Sequence, residues 1–210
     1  MAGFFVVLEG PEGAGKSTLA RGLAARFSRV GVVPVLVREP GGTPAAEALR
    51  HELLHDDRRW TPEAELLYIA AARADLVAKV IRPALEAGRL VLSDRFDLST
   101  RAYQVGGRGL PATEVDWVNR AATGGLAADL TLVLDVPVEV GQARQAAQGK
   151  VRDRLDRETE EFHRRVARVY REAAGNGIVH LDATVPSEEL EAAAWHAVRT
   201  AAPGRFGDEA

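Results

Sequence analysis

The run Gly10-Pro11-Glu12-Gly13-Ala14-Gly15-Lys16-Ser17-Thr18 has the residue types and spacing to surround a phosphate chain. It fits G-x-x-x-x-G-K-[ST], and it lies between an apolar stretch, Phe4–Glu9, and a segment of helical period, Lys16–Val30. Glycines allow backbone N–H groups to turn inward around an anion without a Cβ in the way. A helix beginning at Lys16 adds its positive end. Lys16 can then reach the β- and γ-phosphates, and the Ser17 hydroxyl can ligate Mg²⁺. The chemistry is that of a nucleoside triphosphate site.

A second set of residues could hold another anion. Arg38-Glu39-Pro40-Gly41-Gly42-Thr43 follows one apolar run, and Ser93-Asp94-Arg95-Phe96-Asp97-Leu98-Ser99-Thr100-Arg101-Ala102-Tyr103-Gln104 follows another. The carboxyl ends of parallel strands are where α/β folds bind ligands. Guanidinium groups pair bidentately with phosphate oxygens, so Arg38 and Arg95 at that edge suit a phosphate-bearing acceptor. A phosphate loop alone serves switches, motors and small-molecule kinases. A guanine-reading Asn-Lys-x-Asp stretch is absent, since the only asparagines, Asn119 and Asn176, stand in other contexts. Three readings stay open: a kinase for a nucleoside monophosphate, a kinase for another small acceptor such as a deoxynucleoside, and a nucleotide-binding switch.

Positioning these residues requires alternating strands and helices. Short apolar runs at Phe4–Glu9, Pro34–Arg38, Leu90–Ser93, Leu130–Asp135 and Gly177–Leu181 read as strands. Helical patterns occupy Lys16–Val30, Thr43–Leu54, Pro62–Ala87, Pro111–Gly124, Pro137–Gln148, Asp156–Gly175 and Pro186–Thr200. Pro62, Pro111, Pro137 and Pro186 open helices, where a missing N–H costs nothing, and Gly31, Gly88 and Gly175 sit at helix ends. Pro83 should kink the third pattern or begin a short separate helix. The expectation is an α/β fold, a parallel five-stranded sheet covered by helices on both faces. Residues 1–200 form one domain, with an Arg-rich connection at 148–157 as a lid and 201–210 as a flexible tail.

Composition removes other classes. Lys and Arg number 27 against 30 Asp and Glu, a net charge of -3, which argues against a nucleic-acid coat or an anionic-membrane patch. Zero Cys excludes disulfides, thiolate zinc sites and cysteine nucleophiles, and it fits a cytoplasmic protein. No apolar run approaches the roughly 18 residues that span a bilayer. The five His are scattered, and none is assigned to catalysis.

Taken together, the phosphate loop, Arg-Glu-Pro-Gly-Gly-Thr, Asp-Arg-Phe-Asp-Leu-Ser-Thr-Arg-Ala-Tyr-Gln, Asp153-Arg154 and Asp182-Ala183-Thr184 resemble the bacterial thymidylate kinases over nearly the whole chain. The resemblance implies the three-layer fold of nucleoside monophosphate kinases. It implies transfer of the ATP γ-phosphoryl to thymidine monophosphate (dTMP), with Mg²⁺, by a cytosolic homodimer. It assigns Gly10 to Thr18 and Asp182, Ala183 and Thr184 to ATP, the last three against adenine. Lys16, Arg38, Arg95, Arg152 and Arg154 become catalytic, and Ser17, Glu9 and Asp94 the holders of Mg²⁺. Glu12 meets the dTMP sugar, Arg38 and Arg95 its phosphate, Arg73 and Thr100 the base, and Tyr103 the 2′ carbon. Ser99 and Gln104 complete the acceptor site. No arginine stands among Pro11, Glu12, Gly13 and Ala14, whereas Arg144, Arg152, Arg154 and Arg157 crowd the lid, as in the lid-arginine branch. One position departs: where the family stacks a phenylalanine on thymine, this chain has Ile69, and either Tyr68 or another aromatic substitutes or dTMP binds more weakly.

Overall fold

The computed structural model describes residues 2–55, 60–149 and 153–206. Its core is a five-stranded sheet of β1 (Phe4–Glu9), β2 (Val35–Arg38), β3 (Leu90–Asp94), β4 (Leu130–Asp135) and β5 (Ile178–Asp182). The order is β2-β3-β1-β4-β5 and every pairing is parallel. β1 explains the layering. Phe4, Val6 and Leu8 enter one core with Leu19, Leu23 and Phe27 of α1 (Lys16–Arg29) and Trp195 and Val198 of α9 (Ser187–Ala201). Phe5 and Val7 alternate to the other face, against Leu76 and Ile81. Successive side chains of a strand point to opposite faces, so a wholly apolar strand needs helices on both.

The remaining helices are α2 (Pro44–His55), α3 (Pro62–Leu76), α4 (Arg82–Glu86), α5 (Asp97–Thr100), α6 (Ala112–Thr123), α7 (Val138–Ala147) and α8 (Glu160–Arg171). The long pattern at 62–87 is divided: a π-helical turn, Val77–Ile81, precedes α4, whose first turn holds Pro83. Proline offers no N–H to the preceding turn, and the wider turn accommodates the loss. A second π-helical segment, Arg101–Gly107, continues α5 and packs on α8, where Gly107 lies against the Phe162 ring. The sequence showed no helix there, because a π segment ending in two glycines lacks a 3.6-residue period.

Two expectations are corrected. α8 begins at Glu160 rather than Asp156, capped by Thr159, whose hydroxyl accepts from Phe162 N–H. The stretch before it is a turn in which Asp153 and Asp156 each accept the other's backbone N–H, at 2.9 and 3.1 Å. The chain beyond 200 is also packed up to residue 206. Phe206 is buried 5.0 Å from the Phe27 ring, and Arg205 lies over Phe4. An aromatic residue that fills a core gap ties down an otherwise polar terminus.

Candidate active site

The phosphate loop joins β1 to α1 along the carboxyl edge of the sheet. Gly15 precedes α1 in a left-handed conformation, no side chain caps the helix, and no acid stands in its first turn. The helix start is thus left for an anion. Lys16 is buried and donates to the Gly10 and Pro11 carbonyls at 3.0 and 2.8 Å. Burial, with Arg95 nearby, lowers its pKa to about 8. The Ser17 hydroxyl donates to Asp94 at 2.5 Å. Gly13, at φ 73, touches Gly141 of α7 backbone to backbone; a Cβ on Gly141 would stand 2.3 Å from the Glu12 carbonyl oxygen. Helix α7 therefore seats the loop, a contact that no local sequence signal announces.

Arg95 faces this loop. It is a non-glycine residue at φ 78, a conformation costing on the order of 1–3 kcal/mol, and its N–H is tied to the Leu8 carbonyl. Its guanidinium donates to Glu12 at 2.6 Å, Tyr170 at 2.8 Å and Ser99 at 3.0 Å. Burial opposes its charge, but Tyr103, Tyr170, Glu12 and Asp94 more than offset that and hold its pKa high. The Tyr103 hydroxyl also donates to Glu12, at 3.1 Å. Glu9, expected beside Mg²⁺, is bonded within the protein here. It is fully buried, and its oxygens accept from Phe96 N–H, Ser99 N–H and the Ser99 hydroxyl. A carboxylate so enclosed fixes the 95–99 turn, and burial raises its pKa. Ser99 likewise supports Arg95.

Arg73, on α3, is 1% exposed. It donates to Glu39 at 2.6 Å, Thr100 at 2.8 Å, Asn119 at 2.6 Å and the Phe96 carbonyl at 2.9 Å. Those bonds engage four of the guanidinium's five N–H groups, leaving one for a ligand. Burial raises Glu39 to about 7 despite Arg73. Arg38 stands more exposed, on the Glu47 carboxylate at 3.1 Å. Arg50 of α2, which sequence reasoning missed, joins the same wall and donates to the Pro40 carbonyl. Its signal was helical spacing on the segment after Thr43.

One cleft of about 590 Å³ is lined by both sets, from Gly13, Lys16 and Ser17 to Arg38, Arg73, Arg95, Thr100, Tyr103 and Gln104. That size suits a small-molecule site. Ala183 lines its far end, with its carbonyl accepting from Arg144 at 2.8 Å; Asp182 and Thr184 bond each other beside it.

A family model described as thymidylate kinase matches residues 8–194. The chain is 48% identical to the thymidylate kinase of Pseudomonas putida (strain GB-1) over 193 residues, 91% of each chain. It is also 48% identical to that of Thermomicrobium roseum over 198 residues, 93% of this chain and 94% of the relative. The thymidylate kinase structure from Ehrlichia chaffeensis superposes with a TM-score of 0.78 at 25% identity, covering 94% of this chain and 100% of the other. The chain belongs to the thymidylate kinase family. The fold expected from the resemblance is the one observed.

Two residues named from the sequence, Tyr68 and Arg154, stand outside the cleft lining. Tyr68 packs on Trp60 with ring centroids 4.3 Å apart, tilted by 49°, and neither lines the cleft. The apolar wall is aliphatic, made by Ile69 with Leu53, Leu54 and Leu155, and Tyr103 is the only aromatic lining residue among those described. Arg154 is held by the buried Glu65 carboxylate and the Leu53 carbonyl and does not line the cleft. Arg152 lies outside the described residues.

Proposed function

We propose that this chain transfers the γ-phosphoryl group of ATP to dTMP, yielding ADP and dTDP, in a cytoplasmic route to dTTP. The observation that carries the reading is one cleft lined by both a phosphate loop and Arg38, Arg50 and Arg95. Such an arrangement brings two anions together and offsets the charge between them.

In this reading the N–H groups of Gly10 to Thr18 and Lys16 hold the triphosphate, with Asp182, Ala183 and Thr184 beside adenine. Arg95 and Arg38 hold the dTMP phosphate, and Arg38 leaves Glu47 to do so. The remaining N–H of Arg73 meets a thymine carbonyl, Thr100 the adjacent ring edge, and Glu12 and Tyr103 the sugar. An oxygen of the dTMP phosphate attacks the γ-phosphorus as the bond to the β-phosphate oxygen breaks and ADP departs. A phosphomonoester is largely doubly ionised at neutral pH, since its second pKa is about 6, so no general base is required. Ser17 and Asp94 present hard oxygens at the head of α1. No group of three or more His, Cys, Asp or Glu is gathered among the described residues. That donor set fits Mg²⁺, which takes few protein ligands and fills its shell with phosphate oxygens and water. When bound, Mg²⁺ would neutralise phosphate charge there.

The chain acts as a homodimer, without nucleic-acid or membrane partners. Leu67 of α3 and Trp117 of α6 are 59% and 71% exposed on helices that pack together, an apolar face suited to a second copy. Among the described residues no helix is long and apolar enough to cross a membrane.

The test is product formation from Mg-ATP with dTMP, dUMP, AMP, CMP, GMP and thymidine offered separately. Diphosphate from dTMP, with dUMP well behind, is expected. Turnover only with another acceptor would remove the roles of Arg73, Thr100 and Tyr103; hydrolysis without acceptor dependence would favour a switch.

A further inference from the structure

A second enclosed charge cluster centres on Glu65 of α3, which is 1% exposed. Its Oε1 accepts from Gln104 at 2.7 Å and Arg108 Nε at 3.0 Å. Its Oε2 accepts from Arg108 Nη2 at 2.9 Å and Arg154 Nη2 at 2.6 Å. Arg108 continues to Glu158 at 2.6 Å, and Arg154 to the Leu53 carbonyl at 2.9 Å. One carboxylate thus ties together α3, the π segment that carries Tyr103, the end of α2, and the 153–158 turn.

We propose that Glu65 is a positioning residue for acceptor binding, holding the 153–158 turn against α2 and α3 so that Leu155 completes the aliphatic wall of the cleft. The placement supports this. Glu65 lies one helical turn before Ile69 and two before Arg73, so the helix that carries the base-facing residues also carries the anchor. Leu155 follows Arg154 directly and packs with Leu53, Leu54 and Ile69. With no aromatic ring at position 69, contact with a flat acceptor depends on how closely these aliphatic groups are drawn together. Burial acts to raise the Glu65 pKa, yet the hydrogen bonds from Arg108 and Arg154 bring it below the usual range, so the anchor is an anion. Removing that charge leaves two guanidinium groups facing a neutral centre, and the turn carrying Leu155 loses its hold.

The inference rests on the dTMP reading, and its test separates the two. In Glu65→Gln, KM for dTMP should rise about tenfold, while kcat at saturating dTMP and KM for ATP change less than about threefold. Arg154→Gln keeps Glu65 paired with Arg108 and Gln104, so it folds even where Glu65→Gln fails, and it should show the same signature. Calorimetric dTMP binding without ATP should weaken in parallel, and the double variant should be no worse than the poorer single. An unmoved KM for dTMP in Arg154→Gln overturns the inference. So does a fall in its kcat at constant KM, which would return Arg154 to the transferred phosphoryl. A wild-type enzyme inactive on dTMP overturns the parent reading as well, and that is read before any variant is made.

Discussion

The two ends of the cleft are built by opposite means. At the donor end, a contiguous loop offers backbone N–H groups and a helix start, with Lys16 as its one buried cation. At the acceptor end, Arg73 and Arg95 are held by side chains that come from distant parts of the chain, Glu39, Asn119, Glu12 and Tyr170 among them. A backbone cradle depends on conformational freedom and close approach, so its weak points are places where a Cβ would intrude. A guanidinium network depends on pairing, so its weak points are single partners whose loss strands a buried charge.

The largest test of that contrast is Arg95→Ala. Turnover of dTMP should fall on the order of 10³-fold in kcat/KM while ATP binding, measured by calorimetry, holds. Equal loss at both ends would mean that the cleft works as one site. Gly141→Ala probes the donor end from behind. Alanine favours a helix interior by about 0.5–1 kcal/mol, yet its Cβ would push on the Glu12 carbonyl. A Cβ 2.3 Å from a backbone oxygen outweighs that preference, so thermal stability should fall by about 1–3 kcal/mol while KM for ATP increases by up to about 10²-fold. An unchanged KM would show that α7 can retreat.

The pH profile is the next test. The Lys16 pKa is about 8, below the ordinary 10.5, so the free enzyme loses this cation as pH rises through about 8. Log kcat/KM for ATP should then decline with a slope near one per pH unit. Lys16's contribution to stability runs the other way: between its folded and unfolded pKa the unfolded chain binds more protons, so folding gains with rising pH. Lys16→Arg, which stays charged, should remove the downturn in whatever activity remains. The smallest effect is expected for Ile69→Phe. A ring on the aliphatic wall should strengthen dTMP binding by about 1 kcal/mol, read as a lower dissociation constant. Unchanged or weaker binding would show that Leu155 and its neighbours already fill that space.

Legibility in the sequence follows the same division. The loop at 10–18, the five strands and Arg38 and Arg95 at strand ends were readable because each is set by a short contiguous pattern. The partner of Arg154 was not readable, since Glu65 lies 89 residues away. The same holds for the four acceptors around Arg73 and for the partners of Glu9, Phe96 and Ser99, which lie 87 and 90 residues away. The helix from 97 to 107 was missed because its second half has no α-helical period.

The sequence by itself determined the alternation of strands and helices, the phosphate loop between β1 and α1 and the family, because hydrophobic period and glycine placement act over a few residues. Tertiary structure alone decided which carboxylates pair with which arginines. It also turned Tyr68 onto Trp60 instead of into the cleft, set Gly141 against the phosphate loop, and drew Phe206 into the core. Those outcomes depend on which side chains lose water together, and only the folded chain brings them near enough to do so.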